Sequence, residues 1–242
     1  MKDNPSDKII KIRKFWNERA DSFGEKWNAT LGEKYLRLLE INTIIKLLKI
    51  FTPQTVLDVG CGNGYSTKKY ALSFPNVKFI GVDFSDKMIQ KANEKKISNC
   101  KFFIADVTEP ESIPDHDFDI ILTQRCIQNL ENYESQYLAI KHLIKKKKTD
   151  GLLLLMECSK DGVEQLNRIR KKFLKAPKEN IEPWHNNFLR DQLLIKDFNA
   201  NIIYFSSTYM FLTKVIHPKL DKYAYALPNI GKFGYDRLYI IK

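Results

Sequence analysis

Cysteine is scarce in this chain: Cys61, Cys100, Cys126 and Cys158 are the 4 in 242 residues, and no two are spaced as C-x-x-C. That spacing supports neither a disulfide framework nor a zinc site, and it predicts a reducing, cytoplasmic setting. No apolar run reaches the ~18 residues of a membrane span. The opening MKDNPSDKIIKIRKFW lacks the apolar segment and small-residue cleavage site of a secretory leader. No cluster of His, Cys, Asp and Glu has ligand spacing, so no metal is expected. Pro/Gly/Ser-rich linkers and internal repeats are also missing, which predicts a single domain over residues 1–242.

Arginine is the second scarcity. The 40 basic residues outnumber the 29 acidic ones and give a net charge of +11, yet only 8 of them are arginine. Proteins that read phosphates and bases lean on the planar guanidinium fork. The densest basic run, KHLIKKKKTDG at Lys141 to Gly151, falls where a helical pattern gives way to a strand. Lysines there complement the helix dipole and stay in solvent. A nucleic-acid partner is not expected.

From Thr55 onward, short apolar runs alternate with amphipathic stretches. TVLDVG, VKFIGVD, CKFFIAD, FDIILTQ and LLLLMEC read as strands, separated by helical patterns near Tyr65–Ser73, Lys87–Lys96, Glu109 and Glu134–Lys147. FNANIIYFSS and YDRLYIIK add a closing pair. Continuous apolar strands with helices between them predict an α/β fold, a doubly wound, seven-stranded, mostly parallel sheet. Residues 1–52 read as a helical cap, 53–158 as the ligand-binding core, and 159–242 as substrate-side insertions with the last two strands. The insertions comprise a helix near Gly162–Leu174, the irregular KAPKENIEPWHNNFL, and Thr208–Gly234. Ligands of open α/β sheets lie beyond the carboxyl ends of the strands, where these insertions hang.

The first strand runs into VLDVGCGNGYST, a turn spaced Gly60-x-Gly62-x-Gly64, with Tyr65 where a dinucleotide fingerprint would place its third glycine. Asp58 stands two residues before Gly60. A pyrophosphate would be repelled by it; a cationic ligand would not. Acidic residues then recur at strand ends: Asp83, Asp106 and Glu157, with Gln124, Arg125 and Cys126 after the fourth strand. Asp83 lies 19 residues past Gly64, a distance suited to a carboxylate that binds two ribose hydroxyls. One such acid reads as a cap or turn former; the series reads as a ligand site.

These motifs resemble the class I S-adenosylmethionine-dependent methyltransferases, a Rossmann-like fold, over roughly Phe15 to Glu157. LDVGCGNG is similar to their first motif, GVDFSDKMI to the ribose loop, FFIADVTE to the adenine loop, and FDIILTQRCIQNL to the segment near the methyl group. The resemblance implies S-adenosylmethionine as cofactor, with S-adenosylhomocysteine as product. By it, Gly60, Gly62 and Gly64 line the methionine end, Asp83 holds the ribose and Asp106 the adenine amino group. Asp58, Cys61, Phe84, Met88, Val107, Gln124 and Arg125 belong to the same loops and are implied cofactor contacts. FWNERADSFG resembles the cap of small-molecule members, where Trp16 and Arg19 would approach the cofactor. Asp58 can attract the ligand's positive charge or brace the glycine turn.

LLLLMECSKDGVEQLNRIR, IEPWHNNFL and FSSTYMFLTKVIHP resemble methyltransferases of bacterial surface-glycan loci, which implies a small or glycan-linked acceptor. An alcohol acceptor needs a base near neutral pKa. His185 is the first candidate, with His217 as the weaker alternative; His116 and His142 read as solvated, and Arg125, the other catalytic candidate, would contact the acceptor or the cofactor. A phosphate, phosphonate or carboxylate oxygen needs only cationic holders, for which Arg125, Arg168 and Arg170 are available. Asn129, Trp184 and Tyr209 complete the expected substrate pocket. Methylation of a phosphoramidate or phosphonate oxygen is the second reading. RNA methylation is a third, although QRCIQNL replaces the [N/D]-P-P-[F/Y/W] motif expected after the fourth strand.

Overall fold

The computed structural model describes residues 5–94, 96–114, 117–175, 178 and 181–242. Two helices, α1 (Pro5–Phe23) and α2 (Lys34–Phe51), precede the sheet. β1 (Thr55–Val59) is buried along most of its length, as a strand covered on both faces must be. It leads through the glycine turn into α3 (Tyr65–Ser73). β2 (Lys78–Asp83), α4 (Asp86–Glu94), β3 (Cys100–Ile104), β4 (Phe118–Gln124), α5 (Tyr133–Lys146) and β5 (Lys147–Cys158) follow. The chain continues through α6 (Lys160–Ile169), α7 (Asp191–Phe198), β6 (Asn201–Ile203), α8 (Ser207–Phe211), α9 (Asp221–Ala226) and β7 (Asp236–Ile241).

The strands form one seven-stranded sheet in the order β3-β2-β1-β4-β5-β7-β6. β1 pairs in parallel with both β2 and β4, and only β7 runs antiparallel to its neighbours β5 and β6. The order reverses between β1 and β4, which opens a crevice at their carboxyl ends. One apolar layer packs α2 and α3 on the sheet through Ile44, Leu48, Tyr70 and Phe79. The other packs α5 and α7 through Ile140, Leu143 and Leu194.

Three local readings need correction. β5 begins at Lys147, inside the lysine run, because its first residues pair with Phe118 before a register shift. Lys148 there bonds the Asp119 carboxylate at 2.6 Å rather than standing in solvent. The run from Phe198 is not a continuous strand. Phe198 closes α7, Asn199 turns left-handed at φ 51°, and only Asn201–Ile203 pair with β7. The helix expected to reach Leu174 is α-helical to Ile169 and then widens into a π turn, Arg170–Leu174.

Candidate functional site

A cleft lies where the carboxyl ends of β1, β2 and β4 meet α1 and α2. Its wall carries Trp16, Asp58, Gly60, Cys61, Gly62, Asp83, Phe84, Met88, Asp106, Val107, Gln124, Arg125 and Asn129. The sequence had pointed to all of these. The glycine turn supplies the close approach. Gly60 and Gly62 sit at φ 75° and 55°, where a Cβ would be strained. A Cβ on Gly60 would also fall 2.5 Å from that of Cys126. Gly64 is not on the wall: its Cβ would strike the Phe102 ring at 2.7 Å, so this glycine serves the packing of α3 on the sheet.

Asp83 holds the turn in shape. It is buried, and its two carboxylate oxygens accept the N–H groups of Gly62 at 2.8 Å and Ser85 at 2.9 Å. Burial raises its pKa to about 6, against the pull of those two N–H groups. Asp58, fully buried in β1, accepts the Thr67 hydroxyl at 2.5 Å on one oxygen; the other oxygen has no protein partner. Burial lifts its pKa to about 7, with Asp83 adding to the rise. Asp58 therefore braces α3 and still offers a bare carboxylate oxygen beside the glycine turn.

Asp106, after β3, accepts the Thr108 N–H and hydroxyl and lies 3.9 Å from the Arg13 guanidinium, which also stands over the Phe84 ring. Helix α1 reaches over the cleft here, fastened by Asn17 to Asp86 and Ser85. Beyond β4, Glu157 of β5 accepts the Thr123 hydroxyl and the N–H groups of Cys126, Ile127 and Gln128. It is the template for the turn that carries Cys126 and Asn129.

A charged cluster, of which the sequence reading had only Arg125, lines the cleft near the glycine turn. Arg37 of α2 is 5% exposed and lines the cleft with Thr30, Tyr65 and Ser66. Its guanidinium donates to the hydroxyls of Thr30 and Ser66, stands 3.9 Å from Glu40, and its Nε has no partner. Glu40, equally buried, turns both oxygens to Arg125. Arg125 takes a left-handed φ of 54° to meet it. Asp236 lies close by, its pKa raised to about 7 chiefly by burial and then by Glu40. The signal was present in α2: Arg37 and Glu40 continue the stripe of Ile41, Ile44 and Leu48, so two charges sit on an apolar face.

Other expected site residues lie off the wall. Arg19 spends its guanidinium on the carbonyls of Ala29 and Asn28, at 2.5 and 2.7 Å. His185 is enclosed by Phe15, Trp16 and Trp184, with ring centroids 4.6–5.6 Å away. Burial and Arg19 lower its pKa to about 4. Tyr209 is packed among Leu36, Phe188 and Met210. Arg168 is exposed on α6, Trp184 is largely exposed, and His217 caps the turn before α9 through Nδ1. His116 lies outside the described residues. Among the described residues no group of three His, Cys, Asp or Glu could hold a metal, and no helix is long and apolar enough to cross a membrane.

Comparison with known proteins agrees with this geometry. Residues 52–197 match the family described as "Methyltransferase domain". The chain belongs to this family. Among curated relatives of this methyltransferase-family chain, (S)-coclaurine N-methyltransferase of Papaver somniferum is 29% identical over 190 residues, 76% of this chain and 47% of that protein. Malonyl-[acyl-carrier protein] O-methyltransferase of Bacillus anthracis is 24% identical over 173 residues, 71% of this chain and 60% of that protein. The chain thus spans about half to three-fifths of the length of these two relatives. Among solved structures, magnesium protoporphyrin IX methyltransferase from Synechocystis PCC 6803 with bound SAH has the same fold. Its TM-score is 0.62 at 14% identity, over 96% of this chain and 98% of that one. The plantazolicin methyltransferase BpumL, in complex with a pentazolic desmethylPZN analog and SAH, gives 0.59 at 18% identity over 98% of both chains.

Proposed function

We propose that this protein transfers a methyl group from S-adenosylmethionine to a small-molecule acceptor whose nucleophile is an anionic oxygen. The observation that carries the cofactor is the bare, buried Asp58 oxygen beside the glycine turn. A dinucleotide would bring a pyrophosphate to that carboxylate; S-adenosylmethionine brings cationic groups and no phosphate. Asp83 keeps lone pairs for ribose hydroxyls, Asp106 stands where an adenine would end, and Trp16 and Met88 wall the space between. When bound, the cofactor supplies a methyl group activated by a sulfonium, and displacement at that carbon needs no Lewis acid.

The chain's own work is positioning, for which alignment can supply ~7–11 kcal/mol. No histidine lines the cleft among the described residues, and His185 is caged with a lowered pKa. An acceptor that arrives as a carboxylate or phosphate-type anion needs no base. This favours it over the alcohol of a sugar. The stretches that resemble glycan-locus enzymes also contribute little to the cleft wall, so the glycan-linked acceptor is set aside. By their names, one relative N-methylates (S)-coclaurine and the other O-methylates malonyl-[acyl-carrier protein].

The test is S-adenosylhomocysteine formation by the purified protein against panels of carboxylates, phosphorylated and phosphonate metabolites, sugar alcohols and bulk RNA. Turnover confined to the anionic panels supports the reading. Turnover of sugar alcohols that is abolished in His185→Ala refutes the base-free step, and turnover of RNA refutes the small acceptor.

A further inference from the structure

The last third of the chain turns apolar side chains outward that the cleft does not use. Two π turns stand side by side there: Arg170–Leu174, which follows α6, and Leu212–Ile216, which follows α8. The Arg170 guanidinium joins them by donating to the Lys214 carbonyl at 2.8 Å. π turns are uncommon and gather at functional sites. Each of these ends on side chains that face water: Phe173 is 68% exposed, Leu174 46% and Ile216 54%. The inner side of the second segment is complete without them, since Tyr209, Met210, Thr213 and Val215 are all buried. Phe211, Lys214 and Ile216 are thus left to the outer side. Single exposed apolar residues carry no message, but a group of them does.

The charge around this group has one sign. Residues 168–178 hold six basic residues and no acidic one, and residues 211–220 add Lys214 and Lys219, again with no acid. Lys171, Lys172 and Lys175 are exposed, and the Lys172 ammonium lies 5.5 Å from the centre of the Phe173 ring. The acids beside the two turns are already paired, Glu164 with Arg190 and Glu33 with Lys214. The surface therefore offers positive charge and apolar tips together.

That pairing narrows the partner. Nucleic acids are read by guanidinium forks and stacked rings, whereas the exposed cations here are mostly lysines and neither Leu174 nor Ile216 can stack on a base. A bilayer with anionic headgroups takes both features. Lysines extend their ammonium groups to the headgroups while phenylalanine, leucine and isoleucine enter the acyl boundary. We propose that the two π turns dock the protein on a membrane rich in anionic lipid, with Phe173, Leu174 and Ile216 entering the interface and Lys171, Lys172 and Lys175 facing the lipid phosphates. This surface lies outside the methyl-transfer reading and does not rest on it.

The test is flotation of the full chain with vesicles of phosphatidylcholine alone and of phosphatidylcholine and phosphatidylglycerol in equal parts. Wild type should bind only the mixed vesicles, and less as salt rises. Phe173→Ser with Leu174→Ser should weaken binding about 10- to 100-fold. Replacing Lys171, Lys172 and Lys175 by Gln should weaken it about 100-fold, at about fivefold for each lysine. The control replaces three exposed lysines elsewhere, Lys46 and Lys49 on α2 and Lys78 at the start of β2, by Gln. It removes the same charge and should cost less than about threefold. None of these residues lines the cleft, so S-adenosylhomocysteine affinity and Tm report whether each variant is folded. No binding of mixed vesicles by wild type overturns the proposal, and binding of bulk RNA in their place assigns the surface to nucleic acid. An apolar variant that binds as wild type does, or an equal loss in the control, also overturns it, because net charge alone would then explain adsorption. Hydrogen exchange of wild type on mixed vesicles decides without any variant: protection at 170–175 and 212–217 supports the docking surface, and protection confined to other segments refutes it.

Discussion

Asp83 braces the glycine turn and is the proposed ribose ligand, and replacing it with asparagine separates two effects. The carboxylate accepts Gly62 N–H on one oxygen and Ser85 N–H on the other. An asparagine of the same shape keeps one acceptor. Its amide nitrogen must then face the remaining N–H, donor against donor, in a buried place. One unmet N–H costs ~1–3 kcal/mol. At the usual scale of ~2–4 °C per kcal/mol for a chain of this size, Asp83→Asn should lower Tm by ~2–12 °C without ligand. The second effect is on the ligand, since a ribose hydroxyl bonded to a charged acceptor contributes ~1.5–3 kcal/mol. S-adenosylhomocysteine should therefore bind about 10- to 100-fold more weakly.

Scanning calorimetry of the free protein and titration calorimetry with S-adenosylhomocysteine, run on one preparation, give both numbers. A lower Tm with unchanged affinity would mean that Asp83 braces the turn and touches no ribose. A Tm within 1 °C and an affinity within twofold of wild type would refute the whole account of this carboxylate.

Three other perturbations have signed outcomes. Gly60→Ala should cost ~2–5 kcal/mol, from the left-handed φ and the 2.5 Å approach to Cys126; adding Cys126→Gly should recover part of the loss in a double-mutant cycle of thermal unfolding. Glu157→Gln should destabilise the chain by ~1–3 kcal/mol and change the acceptor KM more than the cofactor Kd, because the carboxylate shapes the turn after β4; equal changes in both constants would contradict this. Asp58 and Asp83 have folded pKa values of about 7 and about 6, above the ordinary value of 3.8. Between pH 4 and 7 these two carboxyls hold more protons in the free folded chain than in the unfolded one, so they add stability as pH falls from 7.5 to 5.5. His185, with its lowered pKa, acts in the opposite sense and is removed from the comparison by measuring the pH dependence against Asp58→Asn and Asp83→Asn. A ligand that prefers the carboxylates ionised loses affinity over the same range, and calorimetry showing both quantities moving in one direction would sink the assignment.

The sheet was legible because β1, β2, β4 and most of β5 are buried on both faces and so read as unbroken apolar runs. Helix α7 was not, since eight residues beside an irregular stretch carry too few turns for a period to show. The cleft wall was legible wherever a strand end fixes a loop, from Asp58 to Asn129. It was not legible in α2, where Arg37 and Glu40 acquire their roles only from Arg125, which lies 85 residues beyond Glu40. His185 was misplaced for a related reason. A histidine in an irregular stretch looks available for chemistry until three aromatic rings from two parts of the chain close around it.

Acidic residues at successive strand ends looked equivalent in the sequence, and hydrogen-bond capacity is what separates them. An ionised carboxylate has about four lone-pair sites. Glu157 meets four protein donors, Thr123, Cys126 and Ile127 on one oxygen and Gln128 on the other, and stands off the cleft wall. Asp83 meets Gly62 and Ser85 with one oxygen each, which leaves lone pairs for the proposed ribose. Asp58 meets Thr67 alone and keeps a whole oxygen bare. Spare capacity therefore rises from the acceptor-side turn through the ribose position to the glycine turn. Burial raises the pKa of all three carboxyls, so burial does not tell a brace from a ligand. The unspent lone pairs do, and they lie at Asp58 and Asp83, on either side of the glycine turn.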